Sequence, residues 1–208
     1  MLKEIDYRTY CYPENTPGSS NTGKYFHQLS EASQTALTAV ERWVYQDNIN
    51  LNNLGTNDLH HQLLILRYLR ANQFNVSKTI SHIEKNIEWR KSIDIDTLIK
   101  QKPEKILGCT LEDLTSVFPH WHSGYDKTGR PVLFKQYGKF EAGQIKKLVG
   151  GKNFDAVVQY HIWEQEACGR LCLAQAKKNC TIVETITAVI DIKDMGMSQI
   201  TSDFLKLT

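Results

Sequence analysis

Apolar residues recur at helical spacing through the first half of the chain and at strand spacing in much of the second. Ser30, a residue type that caps helix N-termini, precedes Ala36, Leu37, Val40 and Val44, which fall on one helical stripe and run out before the asparagine-rich stretch 48–53. A second helix is predicted after Thr56-Asn57-Asp58, with Leu59, Leu63, Leu66 and Leu69 on one face and Arg67 and Arg70 beside it, ending near Asn72-Gln73. In the third, Asn75 supplies the cap, and Val76, Ile80, Ile83 and Ile87 step by four, three and four. Arg90 and Lys91 close that helix where a positive charge complements its dipole. Shorter helical pieces are predicted around 94–100 and 111–117. Residues 1–28, with Pro13, Pro17, Gly18 and Gly23, follow neither period and predict an extended lead-in.

The pattern changes after Phe118. Phe118-Pro119-His120-Trp121-His122 leads into Asp126-Lys127-Thr128-Gly129-Arg130-Pro131, whose residue types mark a turn, and residues 132–137 then read as a strand. A long helix over 153–178 follows, with Phe154, Val158, Ile162, Gln165 and Cys172 along one stripe. Residues 182–192 are rich in β-branched types and predict a second strand. Strand, helix and strand make a βαβ crossover, so the fold class is α/β with a mostly parallel sheet, preceded by a three-helix bundle. The domain boundaries that follow are 1–28 for the lead-in, 29–103 for the bundle and 104–208 for the α/β region.

Composition narrows the function classes. With 25 basic and 23 acidic residues, a net charge of +2 provides no field for nucleic acid. Five cysteines, at 11, 109, 168, 172 and 180, are odd in number and irregularly placed, which suits reduced thiols and a cytoplasmic setting. No apolar run has the length of a signal peptide or a membrane span, so any membrane contact is expected to be peripheral.

Several residues invite sharper readings. Cys168 and Cys172, with His161 and Cys180 nearby, suggest zinc, but thiols four apart on an amphipathic helix are more often core filler, and no metal is expected. His120 and His122 flank Trp121 with no carboxylate close in sequence, so an aromatic cluster shaping a cavity mouth is the better reading. Gly150-Gly151-Lys152 lacks the spacing of a phosphate loop, and Lys146, Lys147 and Lys152 read as a solvated face. Arg67 and Arg70 fit a structural ion-pairing role better than phosphate binding. No set of nucleophile, base and oxyanion donors can be assembled, so the chain is expected not to be an enzyme and to use no cofactor.

Four blocks, in order, resemble one family. Residues 65–76 (ILRYLRANQFNV) are similar to the helix-ending motif of the CRAL-TRIO N-terminal bundle, and Glu88-Trp89-Arg90-Lys91 resembles the next. Asp126–Val132 is similar to the turn and first strand of the CRAL-TRIO lipid-binding domain, and Ile182–Asp191 to its second strand; the likeness is to the phosphatidylinositol/phosphatidylcholine transfer branch. The resemblance implies non-catalytic binding, transfer or sensing of a single lipid in an apolar cavity, with transient membrane contact and a possible protein partner. His122, Leu133 and Phe154 stand where phospholipid-exchanging members place pocket tyrosines. Ile186 and Ala188 stand where those members place serine and threonine, and Val158 and Ile190 join the apolar lining. Asn72 and Gln73 replace a basic pair and, with Arg70, are the headgroup candidates. These departures favour a less polar lipid over an inositol lipid. The resemblance also implies that the domain is unfinished at Thr208, since two strands do not make a cavity floor. An interaction module or a non-functional fragment are the alternative readings.

Overall fold

The computed structural model describes residues 29–55, 61–150, 154–179 and 183–207. They divide into two compact units. The first takes in the described residues up to Asp94 together with the C-terminal part of a long helix and Val183; the second takes Ile95–Cys172 and the residues from Glu184 onward.

In the first unit, helices α1 (Glu31–Gln46), α2 (His61–Ala71) and α3 (Val76–Ser92) form the bundle that the periodicity predicts. The caps are the expected ones: Ser30 accepts from the Ser33 amide, and Asn75 Oδ1 accepts from the Lys78 amide at 2.9 Å. Val40, Leu66, Leu69 and Ile83 are wholly buried. The helix α2 buries Leu64 and Ile65 besides the predicted Leu63, Leu66 and Leu69. Leu59 lies outside the described residues.

The end of α2 is a Schellman stop. The Phe74 amide donates to the Leu69 carbonyl at 2.7 Å and the Gln73 amide to the Arg70 carbonyl at 3.2 Å. Gln73 and Phe74 take φ of 54° and 57°, left-handed values that cost a residue with a Cβ. Phe74 packs back onto the bundle core.

In the second unit, the short helices α4 (Ile95–Leu98), α5 (Pro103–Leu107) and α6 (Leu111–Val117) lead to strands β1 (His120–Tyr125) and β2 (Pro131–Gln136). Helix α7 (Ala142–Leu148) and the long α8 (Asp155–Asn179) follow, then β3 (Thr187–Asp191) and α9 (Ser202–Leu205). Among the described residues the sheet has the order β1-β2-β3, with β1 antiparallel and β3 parallel to β2. The crossover strands therefore pair in parallel, as a βαβ unit requires. Strand β1 is an addition. His-Trp-His-Ser-Gly offers almost no β-branched residues, and the segment is held instead by its pairing with β2 and by Trp121 stacked on Phe134 at 5.2 Å and 5°.

Asp126 builds the hairpin turn. Its Oδ1 accepts from the Thr128 amide and hydroxyl, both at 2.8 Å, and from the Arg130 amide at 2.9 Å, while Oδ2 accepts from the Thr187 hydroxyl at 2.8 Å. One carboxylate thus closes the β1–β2 turn and ties β3 to it.

Because the left-handed penalty at Gln73 is conformational, Gln73→Gly is expected to stabilise the protein by about 1 kcal/mol, read as an upward shift in the urea midpoint. An unchanged or lower midpoint would show that the Gln73 side chain contributes more than its backbone costs.

Candidate functional site

Alternation along β2 sends Pro131, Leu133 and Lys135 to one face and leaves Val132, Phe134 and Gln136 half-buried on the other. Cross-strand register adds His120 and His122 from β1 and Ala188 and Ile190 from β3 to the first face. Helix α8 lies over the β1–β2 part of that face, with Cys168 Sγ 4.0 Å from His122 Nε2.

Lys135 and Glu164 are only 4% and 3% exposed, and Lys135 Nζ donates to Glu164 Oε2 at 2.7 Å. An isolated charge at such depth would cost several kcal/mol, so each requires the other. His161 completes the arrangement, its Nδ1 lying 3.3 Å from Lys135 Nζ and 3.6 Å from Glu164 Oε2. His120 stands 3.7 Å from Glu164 and is fixed from both sides. Its Nδ1 lies 2.8 Å from the Phe118 carbonyl, which can only accept, so Nδ1 carries the proton; Nε2 then accepts from the Tyr160 hydroxyl at 2.8 Å. Burial holds His120 below the usual histidine range despite the nearby Glu164 charge, so the ring is neutral at pH 7 and its contact with Glu164 is not an ion pair there. Burial also pushes the Tyr160 hydroxyl up, which keeps it a donor. The space left among these side chains, lined also by Leu114, Phe118, Val157 and Leu207, is about 10 Å³, room for one water and not for a lipid.

An aromatic cluster borders this network. Phe140 meets Phe118 at 5.3 Å, Phe204 at 5.2 Å and Phe154 at 6.1 Å between ring centroids. Phe154 is therefore a core residue here. Of the other predicted lining residues, Leu133 is buried, Val158 and Ile186 are half-buried, and His122, Ala188 and Ile190 are exposed, the last by 41%. His122, Leu133 and Ala188 form one cross-strand row, and His120, Lys135 and Ile190 the next. Leu133 and Lys135 lie beneath α8, whereas the β3 end of both rows is open.

Arg70, Asn72 and Gln73 belong to the first unit, at the end of α2. The Asn72 amide donates to the Tyr68 carbonyl at 2.8 Å and to His82 Nδ1 at 3.1 Å, and Gln73 occupies the left-handed position of the helix stop.

Two sequence expectations are corrected. The buried stripe of α8 runs through Val157, Tyr160, Glu164, Cys168 and Cys172, while Gln165 is exposed and Val158 and Ile162 are half-buried. The stripe is rotated because Glu164, a residue that hydropathy assigns to water, is held inside by Lys135. His120 and His122 are strand residues facing α8, and the carboxylate missing near His120 in sequence is Glu164, forty-four positions on. Lys135 in a strand whose alternate positions are apolar, and Glu164 four residues from both Tyr160 and Cys168, were the available signals. Cys168 and Cys172 are buried thiols, and burial, with the Glu164 charge next in weight, pushes Cys168 up to about 11. Among the described residues no group of three or more His, Cys, Asp or Glu is placed to hold a metal ion, and no helix is long and apolar enough to cross a membrane.

Burial raises the pKa of Glu164, but His161, Lys135 and His120 outweigh it and hold the carboxyl at about 2; in Asp126, burial is likewise outweighed by its four hydrogen bonds, again to about 2. Both groups bind protons less readily folded than unfolded. The stability they add is complete above about pH 4.5 and is lost as the pH falls toward 2, while His120, lowered from 6.5, begins to subtract stability below pH 6.5. Unfolding free energy is therefore expected to fall with acid in two stages, and Glu164→Gln to flatten the lower one. A variant whose slope below pH 4.5 equals that of the wild type would contradict the assignment.

Comparison with known proteins places these features in context. Residues 117–208 match the family described as CRAL/TRIO domain, and residues 26–85 match CRAL/TRIO, N-terminal domain. The chain is 28% identical over 142 residues to the phosphatidylinositol/phosphatidylcholine transfer protein SFH14 of Arabidopsis thaliana, covering 66% of this chain and 23% of that protein. It is 28% identical over 157 residues to the Sec14 cytosolic factor of Schizosaccharomyces pombe, covering 74% and 52%. To the SEC14 cytosolic factor of Eremothecium gossypii it is 28% identical over 137 residues, covering 64% and 42%. The chain thus spans between about a quarter and about half of the length of these relatives.

Proposed function

The chain belongs to the CRAL/TRIO family, and we propose on that footing that it binds a single lipid without catalysis and transfers or presents it, meeting membrane surfaces only in passing. The observation that carries this reading is the half-covered face of the sheet. Helix α8 buries Leu133 and Lys135, while Ala188 and Ile190, on the same face, are exposed. An aliphatic surface left open beside a fixed helix gains about 0.8 kcal/mol for each methylene that it takes from water, which suits a hydrocarbon chain or ring.

In this reading the lipid lies along His122, Leu133, Ile186, Ala188 and Ile190, with Val158 bounding it from α8 and Phe154 backing it from the core just before that helix. His122 is the one polar side chain among these seven, so a weakly polar headgroup matches the surface better than an inositol phosphate, which calls for charge-assisted contacts. The names of the relatives support lipid transfer as the class of activity. Arg70, Asn72 and Gln73, the headgroup candidates of the resemblance, belong to the other unit, where Asn72 and Gln73 are committed to the end of α2.

The test is to purify the chain from cells and analyse an organic extract by mass spectrometry, beside the variant Ile190→Asp. Ile190 is exposed, so the variant is expected to keep its fold by circular dichroism. Losing about 1.5–3 kcal/mol of apolar contact is expected to lower lipid occupancy roughly ten-fold or more. A wild-type extract free of lipid, or a variant that loads as well as the wild type, would overturn the proposal.

A further inference from the structure

His161 shares its neighbours with the buried charge pair. Its Nδ1 lies 3.3 Å from Lys135 Nζ and 3.6 Å from Glu164 Oε2, while the ammonium group holds that same Oε2 at 2.7 Å. An ammonium can only donate, so Nδ1 accepts from it, and in the neutral ring the proton sits on Nε2. Glu164 is then just beyond hydrogen-bond reach of Nδ1. The side chains of Lys135 and Glu164 are 5% and 4% exposed and that of His161 is 21% exposed, so the imidazole is the member of the three most open to water.

Other titratable groups face Glu164 from several elements. His120 of β1 stands at 3.7 Å, Tyr160 and Cys168 belong to α8, and Tyr137 follows β2 with its hydroxyl donating to the Leu207 carbonyl. Burial raises Tyr160, Tyr137 and Cys168 alike, so all three keep their protons throughout the range in which a histidine changes charge, between about pH 8 and 5. Leu114 of α6, Phe118, Val157 and Leu207 complete the surroundings with apolar side chains. In that range the charge around Glu164 therefore changes at His161 and His120.

We propose that His161 is a proton-operated release for α8: when its ring takes up a proton, Glu164 passes from Lys135 on the strand to His161 on its own helix, and the tie between α8 and β2 becomes a tie within α8. Protonated Nδ1 is a donor. It no longer accepts from Lys135, meets it as a second cation, and aims at Glu164, one helical turn further on. Closing 3.6 Å to the charge-assisted distance of about 2.8 Å takes a shift of under about 1 Å, beside a space of about 10 Å³ that all three side chains line. Lys135 is left to share one carboxylate at a depth where its charge needs the whole of it.

The direction follows from the two forms. The closed form uses His161 as a neutral acceptor and the released form as a cation, so the closed form prevails at high pH and release gains as the pH falls. One linked proton changes the opening equilibrium by up to about ten-fold per pH unit. Protonation of His120 differs, because it brings a cation to Glu164 from the sheet side and does not release the helix. Leu133, next to Lys135 on the same face of β2, lies beneath the same helix, so release opens the covered part of that face. The device itself requires no lipid.

Amide hydrogen exchange of the chain, followed by NMR from about pH 8 to 5 together with the nitrogen-15 resonances of the histidine rings, tests this. Corrected for the intrinsic effect of pH, protection of the amides at 160–168 is expected to fall roughly ten-fold, in step with titration of the His161 ring, while α1, α2 and α3 keep theirs. His161→Asn places an amide oxygen near the position of Nδ1, where it accepts from Lys135 without taking up a proton, and is expected to keep its protection at the low end of the range. Should that variant not fold, the wild type still decides, because the two histidine rings are read separately. Protection that does not change with pH, a loss that follows His120 in place of His161, a His161 ring with its proton on Nδ1 at high pH, or a His161→Asn variant that loses as much protection as the wild type would each overturn the proposal.

Discussion

Lys135 and Glu164 hold the second unit together. Each is almost completely buried, one on the central strand and the other on the long crossover helix, and neither is stable there alone. Their 2.7 Å contact fixes the rotation of α8 over β1 and β2. That rotation brings Tyr160 to His120, seats Cys168 on His122 and leaves the β3 end of the same face open. A purely apolar stripe would permit several rotations of the helix. A charge pair flanked by two histidines permits far fewer, which is the kind of specificity that buried polar groups confer in some proteins.

Much of the architecture was legible because local chemistry and tertiary context agree. Ser30 and Asn75 cap the helices they were expected to cap, and the stepping of Val76, Ile80, Ile83 and Ile87 marks α3 without help from its neighbours. Asp126 and Gly129 announced a turn, and the β-branched run at 182–192 a strand, which forms over its second half, Thr187–Asp191. The first strand was not legible, since His120, His122, Ser123 and Gly124 outnumber the strand-favouring Trp121 and Tyr125 and the segment depends on β2. Helix α5 was missed although Pro103 at its start and Gly108 in a left-handed conformation at its end are ordinary helix signals, because five residues are too few to show a period. The orientation of α8 was misread for the opposite reason: its period was clear, but one core position holds a carboxylate whose partner lies twenty-nine residues earlier. The depth of the lipid-lining candidates was not legible, since burial depends on how far α8 reaches across the sheet.

The asymmetry of that cover connects structure to function. Residues beneath α8 are locked in a network with room for one water, and residues beyond it are aliphatic and exposed. Lipid capture, as proposed, removes the exposed aliphatic residues of that face from water across the open end of the sheet. At the other end of the chain, Asn72 and Gln73 serve the backbone of α2, and a headgroup site there would have to share them with the helix stop.

The proposed use of the open surface requires α8 to be fixed where it is, and a double-mutant cycle on Lys135→Met and Glu164→Gln measures that constraint directly. Each single variant is expected to lose about 3–5 kcal/mol of unfolding free energy, and the pair to lose less than the sum by about 1.5 kcal/mol or more. Losses that add within about 0.5 kcal/mol would contradict the account, because two side chains that stabilise independently cannot be what sets the helix on the sheet.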